Sequence, residues 1–172
     1  MASFRASLLA EIRNNYSIRT IMAKVNQLLW ESTDAHQFVT AFYAVLDEKR
    51  RVLTYCNAGH NPVLLIHSDG SYMKLETGGL ILGAFSDAVY WENFVNILPN
   101  DILLLYTDGV TEIYDEGEEE FGIERLRDLV TASRHLSARE ITALVKEKVL
   151  EFAANRTPQD DFTLVVLKAT GA

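Results

Sequence analysis

Residues 102–109 read Ile102-Leu103-Leu104-Leu105-Tyr106-Thr107-Asp108-Gly109. An unbroken apolar run ahead of an Asp-Gly pair predicts a strand buried on both faces that ends in a turn. A second apolar strand is predicted over 163–167, and Gln159-Asp160-Asp161 stands just ahead of it. If the two strands are antiparallel neighbours, the end of the first lies beside the start of the second. Asp108 then meets Asp160 and Asp161 at one sheet edge. Converging carboxylates repel, and a divalent cation is the usual remedy. Hard oxygen ligands suit Mg2+ or Mn2+. The same residues also admit a plain reading, since Asp-Gly is a common turn and paired Asp a common polar strand edge.

Working outward, residues 2–14 read as a helix with Phe4, Leu8, Leu9 and Ile12 on one face. Ser17 is placed to cap a second helix over 18–31, whose apolar stripe is Ile18, Ile21, Met22, Val25, Leu28 and Leu29. Stretches 38–46 and 52–57 alternate and are rich in β-branched and aromatic residues, with a hairpin loop over 47–51 between them. Val63 to Ile66, Tyr72 to Leu75 and a longer stretch over 90–98 are further strands. Gly78-Gly79 and Gly83 mark a loop. An acidic loop over 115–120 precedes a helix at 123–131. Ser137 and Glu140 form a capping box for a last helix, whose inner face is Ile141, Leu144, Val145, Val149 and Phe152. Strands arrive in hairpins and outnumber helices, which predicts an α+β layout of mainly antiparallel sheets with helices on their faces.

The chain has 172 residues, 48% of them hydrophobic and 23% charged, which suits one globular domain with a filled core. A net charge of −8 argues against a nucleic-acid or anionic-membrane surface, because both need a basic patch. The run Lys49-Arg50-Arg51 fits a solvated turn. Cys56 is the only cysteine, so there is no intrachain disulfide. Its apolar surroundings predict a buried core residue rather than a nucleophile. No apolar run is long enough to span a bilayer, and the N-terminus lacks the pattern of a secretory signal, so a cytoplasmic protein is expected. His36, His67 and His135 lack metal-like spacing. His60, in Asn57-Ala-Gly-His60-Asn-Pro, is read as belonging to a hydrogen-bonded loop. The acidic run 115–120 does not match a calcium loop. Trp30 and Trp91 are expected in the core or at an interface.

Five segments together resemble the stage II sporulation E-type branch of the PPM (protein phosphatase 2C-like) phosphatases. They are Phe38 to Asp47, Tyr55 to Pro62, Leu105-Tyr-Thr-Asp-Gly-Val-Thr-Glu112, Phe121-Gly122 and Asp160-Asp-Phe-Thr163. The resemblance implies a four-layer α/β/β/α sandwich of mainly antiparallel sheets. It implies a serine/threonine phosphatase in which two divalent cations, Mn2+ or Mg2+, activate a water that attacks phosphorus. Position by position, Asp108 and Asp160 match metal ligands. Asp161 would support the ligand shell, and Gly109 would let the backbone turn tightly beside the metals. The expected substrate is a phosphorylated bacterial regulator of the anti-sigma-factor-antagonist type. The phosphatase would sit downstream of a sensory or receiver module in a longer parent protein.

The sequence departs from the family pattern at its front. Two acidic motifs that precede the first helix in the family, one of the form Asp-Val-Ser-Gly-His-Gly, do not occur here. The first helix looks like the one that follows the second motif. The expectation is therefore a single phosphatase-like domain over 1–172 without its first strands, and with open sheet edges. The competing functional reading is a catalytically incomplete fragment or pseudophosphatase that binds a partner protein. The apolar leading helix also offers a face for a homodimer.

Overall fold

The structure is a computed structural model that describes residues 2–13, 17–32, 37–154 and 160–171. Met1, His36, Pro158 and Gln159 lie outside the described residues. The chain order is α1 (Ala2–Ile12), α2 (Ile18–Ser32), β1 (Ala41–Asp47), β2 (Val52–Ala58), β3 (Val63–Ile66), β4 (Tyr72–Leu75), β5 (Gly78–Gly79), β6 (Asn93–Asn96) and β7 (Ile102–Tyr106). It continues with α3 (Asp108–Thr111), α4 (Gly122–Ala132), α5 (Ala138–Ala153) and β8 (Leu164–Lys168). The fold is α+β with antiparallel-rich sheets, as expected. It comprises two compact units, one over 1–60 with 75–97, the other over 61–74 with 98–172.

In the first unit β2 is the central strand. It pairs antiparallel with β1 from Ala41↔Ala58 to Asp47↔Val52. On its other side it pairs antiparallel with β6 and parallel with the two-residue β5. The glycines expected in a loop at 78–79 thus form a short parallel strand, and the strand expected over 90–98 shrinks to four residues. The reason is packing: Tyr90 is buried and turns its hydroxyl to Asn26 Oδ1 (3.1 Å), which also accepts Gly83 N–H at 2.8 Å. The side-chain Nδ2 of Asn26 donates to Phe85 O at 2.9 Å. One buried amide thereby holds the whole 83–90 connection, as a buried polar group must be satisfied.

The α2 stripe packs on this sheet. Ile18, Ile21, Met22, Val25 and Leu29 join Ala41, Cys56, Ala58, Leu82 and Tyr90 in one cluster. Leu28, assigned to the stripe, is instead 39% exposed. In α1, Phe4 and Leu8 pack against the cluster, whereas Leu9 and Ile12 are exposed. Trp30 and Trp91 are 45% and 58% exposed, so neither is a core residue. Cys56 is fully buried, and burial with the nearby Glu92 carboxylate pushes its thiol up to about 11.

The second unit has strand order β4-β3-β7-β8. The run Ile102–Tyr106 is β7, the strand that its apolar sequence predicted, with antiparallel partners on both sides. Its α4 and α5 side is closed by Leu126, Val130, Ile141, Val145 and Val149, all fully buried. At roughly 1.5–3 kcal/mol per buried aliphatic side chain, this cluster is a main source of the unit's stability. The capping box at the start of α5 forms as expected. Glu140 N–H donates to Ser137 Oγ, and Ser137 N–H donates to Glu140 Oε2 at 2.8 Å. Each sheet has an edge strand with exposed apolar side chains, Val45 and Leu46 on β1 and Val165 and Leu167 on β8.

Candidate active site

The β7–β8 ladder runs from Ile102↔Lys168 to Tyr106↔Leu164. Antiparallel pairing therefore sets residue 107 and its successors beside residue 163 and its predecessors. The bond Thr107 N–H to Thr163 O (3.1 Å) extends the ladder by one step. The Thr107 hydroxyl closes it: Oγ1 donates to Asp161 O at 2.9 Å and accepts Thr163 N–H at 3.1 Å. This side chain clasps the end of β7 to the approach of β8, a role that sequence reading missed. Its signal was available, since a Thr directly before the Asp-Gly pair can serve both strands.

Beyond the clasp the chain does not make a simple turn at Asp108-Gly109. It enters the short helix α3, with Glu112 N–H donating to Asp108 O at 2.7 Å. Gly109 is buried inside this turn. A Cβ there would lie 2.5 Å from the Asp161 carbonyl oxygen and 3.2 Å from that of Asp160. Glycine is required because two backbones touch, rather than for an unusual backbone angle. The expected tight turn is thus replaced by a tight crossing.

Asp108, Gly109, Glu112, Ile113, Tyr114 and Asp160 line one cavity of about 300 Å3. Asp108 and Asp160, the two carboxylates singled out in the sequence, share it. Asp108 Oδ1 accepts the Gly109 N–H at 2.9 Å, and Asp160 Oδ1 accepts the Asp161 N–H at 2.7 Å. Both carboxylates are exposed, and neither makes an ion pair among the described residues. Asp161 contributes its backbone carbonyl to the clasp. Glu112 joins the cavity because it follows Asp108 by four residues across one helical turn. Glu112 closes the 105–112 segment, and only the helical turn of α3 gives it a place in the cavity.

The donor set is all oxygen and solvent-open, which fits a hard divalent cation that keeps several waters. Among the described residues, no group of three or more His, Cys, Asp or Glu is arranged to hold a metal ion. One cation held by Asp108 and Asp160 fits these residues; a second would need further donors.

Neighbouring features are structural. The acidic loop is organised by Asp115, whose Oδ1 accepts N–H groups of Gly117 and Glu119, both at 2.8 Å. Arg125 ties it down through Glu119 and the carbonyls of Glu120 and Phe121, and stacks its guanidinium 5.0 Å from the Phe152 ring centre. In the first unit, His60 is held through its backbone, as Asn57 Oδ1 accepts its N–H (2.8 Å) and Asn57 Nδ2 donates to its carbonyl (3.0 Å). Two of the loop-stabilising bonds expected near His60 are thus made by Asn57.

No helix among the described residues is long and apolar enough to cross a membrane. The family model described as stage II sporulation protein E (SpoIIE) matches residues 1–170. The chain is 30% identical over 151 residues to phosphoserine phosphatase RsbU of Bacillus subtilis, covering 86% of this chain and 44% of that protein. It spans less than half the length of the curated relatives it matches. Its fold superposes on the SiaA-PP2C domain of Pseudomonas aeruginosa with a TM-score of 0.85 at 20% identity, covering 97% of this chain and 68% of that one. It also superposes on the Mn-presoaked phosphatase domain of SpoIIE from Bacillus subtilis, with a TM-score of 0.65 at 17% identity, covering 98% and 74%.

Proposed function

The chain belongs to the stage II sporulation protein E (SpoIIE) family, and on that premise we propose that it is a divalent-metal-dependent phosphatase acting on phosphoserine or phosphothreonine in a protein. The observation that carries this reading is the shared cavity of Asp108 and Asp160 at the clasped end of the β7–β8 ladder. Asp108 and Asp160 would hold Mn2+ or Mg2+, which when bound supplies Lewis acidity toward a phosphoryl oxygen and an activated water. The chain's own residues do the positioning. Thr107 fixes the relative height of the two carboxylates. Gly109 lets the two backbones approach. The backbone N–H groups of Gly109 and Asp161 each hold one carboxylate oxygen, which restricts rotation of the group and so orients the other oxygen. Glu112 adds negative charge to the cavity wall.

The wider protein is proposed to act on a phosphorylated signalling regulator of the anti-sigma-factor-antagonist type, in the cytoplasm and under control of an upstream sensory or receiver module. A second metal would need acidic ligands beyond those that the described residues bring together. RsbU, named a phosphoserine phosphatase, supports the choice of phosphoserine. A second reading, a partner-binding module without catalysis, draws on one observation: among the described residues no three-donor metal group forms.

The deciding experiment is Mn2+-dependent hydrolysis of a phosphoserine peptide by this chain, with Asp108→Ala beside it. Metal-dependent turnover that disappears in the variant supports the enzyme reading. A folded chain with no turnover under saturating Mn2+ supports the binding module.

A further inference from the structure

The opposite end of the β7–β8 ladder carries the opposite charge. Ile102 pairs with Lys168 there, and Asn100 N–H donates to Ala169 O at 2.9 Å. A cleft of about 430 Å3 opens at this end, lined by Ser68, Asn100, Arg134, His135 and Lys168. Two of these residues are permanent cations, one is a histidine, and none is acidic. In a chain of net charge −8, that is a marked local reversal of sign.

The cations are held in place. Arg134 Nε donates to Ser68 O (3.1 Å) and Nη1 to Thr131 O (2.9 Å). Lys168 Nζ donates to the carbonyls of Arg134 and Leu136, both at 2.7 Å. These acceptors are neutral peptide groups. They orient the side chains and satisfy the carbonyls after α4, yet leave the formal charge uncancelled. Among the described residues, neither Arg134 nor Lys168 forms an ion pair with a carboxylate. Glu140 is the acidic neighbour of His135 and Lys168; its charge acts on both from a distance, without an ion pair, while its Oε2 accepts the Ser137 N–H (2.8 Å) and hydroxyl (2.6 Å). Asp101, next in sequence to Asn100, turns Oδ2 to His67 Nδ1 (3.1 Å) and the Leu98 N–H (2.8 Å).

A guanidinium fork and an ammonium, each fixed from behind and facing one cleft, form a preorganised oxyanion receptor. We infer that this cleft binds a phosphoryl group, as free phosphate or as a phosphomonoester, through Arg134, Lys168 and His135. Phosphoryl is favoured over carboxylate because it brings about two negative charges and three acceptor oxygens to several donors at once. The site is separate from the Asp108 and Asp160 cavity. Five paired residues at about 3.4 Å each put the two ends of the ladder roughly 14 Å apart. The inference does not rest on the proposed phosphatase activity.

The test is a titration of the 15N-labelled chain in EDTA, followed by NMR, which takes metal-dependent chemistry out of the experiment. Inorganic phosphate and O-phosphoserine are the probes, and acetate at matched ionic strength is the carboxylate control. The expected result is a saturable response at the amides of Ser68, Asn100, Arg134, His135 and Lys168 with both phosphoryl probes, and none with acetate. Tighter binding of phosphoserine identifies a phosphomonoester as the better ligand; equal binding identifies the phosphoryl group alone. Arg134→Gln lowers the affinity about tenfold or more, as loss of a charged hydrogen bond does. Because Arg134 also holds two carbonyls, His135→Ala is the companion variant, with a smaller loss and an unchanged fold. A non-saturable response, an equal response to acetate, or unaltered binding in both variants overturns the inference.

Discussion

One ladder in this molecule ends in two different ways. At the Tyr106↔Leu164 end, Asp108 and Asp160 share a cavity, and each has one oxygen engaged by a neighbouring backbone N–H. At the Ile102↔Lys168 end, the cations of Arg134 and Lys168 are tied to backbone carbonyls. Among the described residues, neither pair of charged side chains has an ion-pair partner. The two ends differ in what holds the charge in place. Both use the strand register, but the acidic end adds the backbone crossing at Gly109, whereas the basic end adds long side chains bonded to carbonyls. Damage to the crossing should therefore disable the acidic end and spare the basic one.

The hardest way to break the comparison is to remove a carboxylate. Asp108→Asn should lower Mn2+-dependent phosphoserine hydrolysis by at least about a hundredfold, since even residues that merely orient ligands cost 10–100-fold. The far-ultraviolet circular dichroism should not change, because Asp108 is exposed. Retained turnover would remove Asp108 from the site.

Gly109→Ala tests the crossing itself. A methyl group 2.5 Å from the Asp161 carbonyl forces the strands apart, at a cost of about 1–3 kcal/mol. Chemical denaturation should register that loss, and Mn2+ affinity should fall with it. Phosphate binding at the basic end should persist. An Ala variant as stable as the parent would mean that the two backbones do not touch at Gly109.

Thr107→Val is the milder cut at the same place. It deletes the bond to Asp161 O and leaves the Thr163 N–H without its side-chain acceptor. A loss of about 1–2 kcal/mol is expected, with Thr107→Ser recovering most of it. Equal stability of the Val and Ser variants would show that the hydroxyl does not clasp.

The smallest effect lies near the basic end and depends on pH. The Glu140 carboxyl is held below its ordinary value first by the side-chain and then by the backbone hydrogen bond from Ser137, with the charges of His135 and Lys168 adding. A carboxyl depressed in the folded state contributes stability above its unfolded pKa and loses it as pH falls through the folded one. Acid unfolding below about pH 4.5 should accordingly be less steep in Ser137→Ala. That variant also loses an N-cap, about 1 kcal/mol at neutral pH by thermal melting.

Sequence reading reached furthest where the pattern was local or continuous. The apolar run Ile102–Tyr106, the hairpin β1–β2 and the capping box at Ser137 and Glu140 were all legible, because each depends on neighbours within a few residues. The site was half legible. That Asp108 and Asp160 meet followed from supposing antiparallel neighbours, which the register supplies. Glu112 was passed over because the Asp-Gly pair was read as a turn, and only a helical turn puts Glu112 on the same wall. The strand expected over 90–98 begins only at Asn93, because Tyr90 turns its hydroxyl to the buried Asn26, which lies 64 residues earlier in the chain.

The sequence by itself determined the α+β class, the apolar faces of α2 and α5, and the two aspartates worth pairing, since periodicity and turn chemistry act over short spans. Tertiary structure alone decided that Gly109 must lack a side chain, that the Thr107 hydroxyl spans two strands, and that Ser68, Asn100, Arg134, His135 and Lys168 meet in one cleft. Each of those outcomes depends on groups brought together across 32 or more residues of chain, and no local preference encodes such a distance.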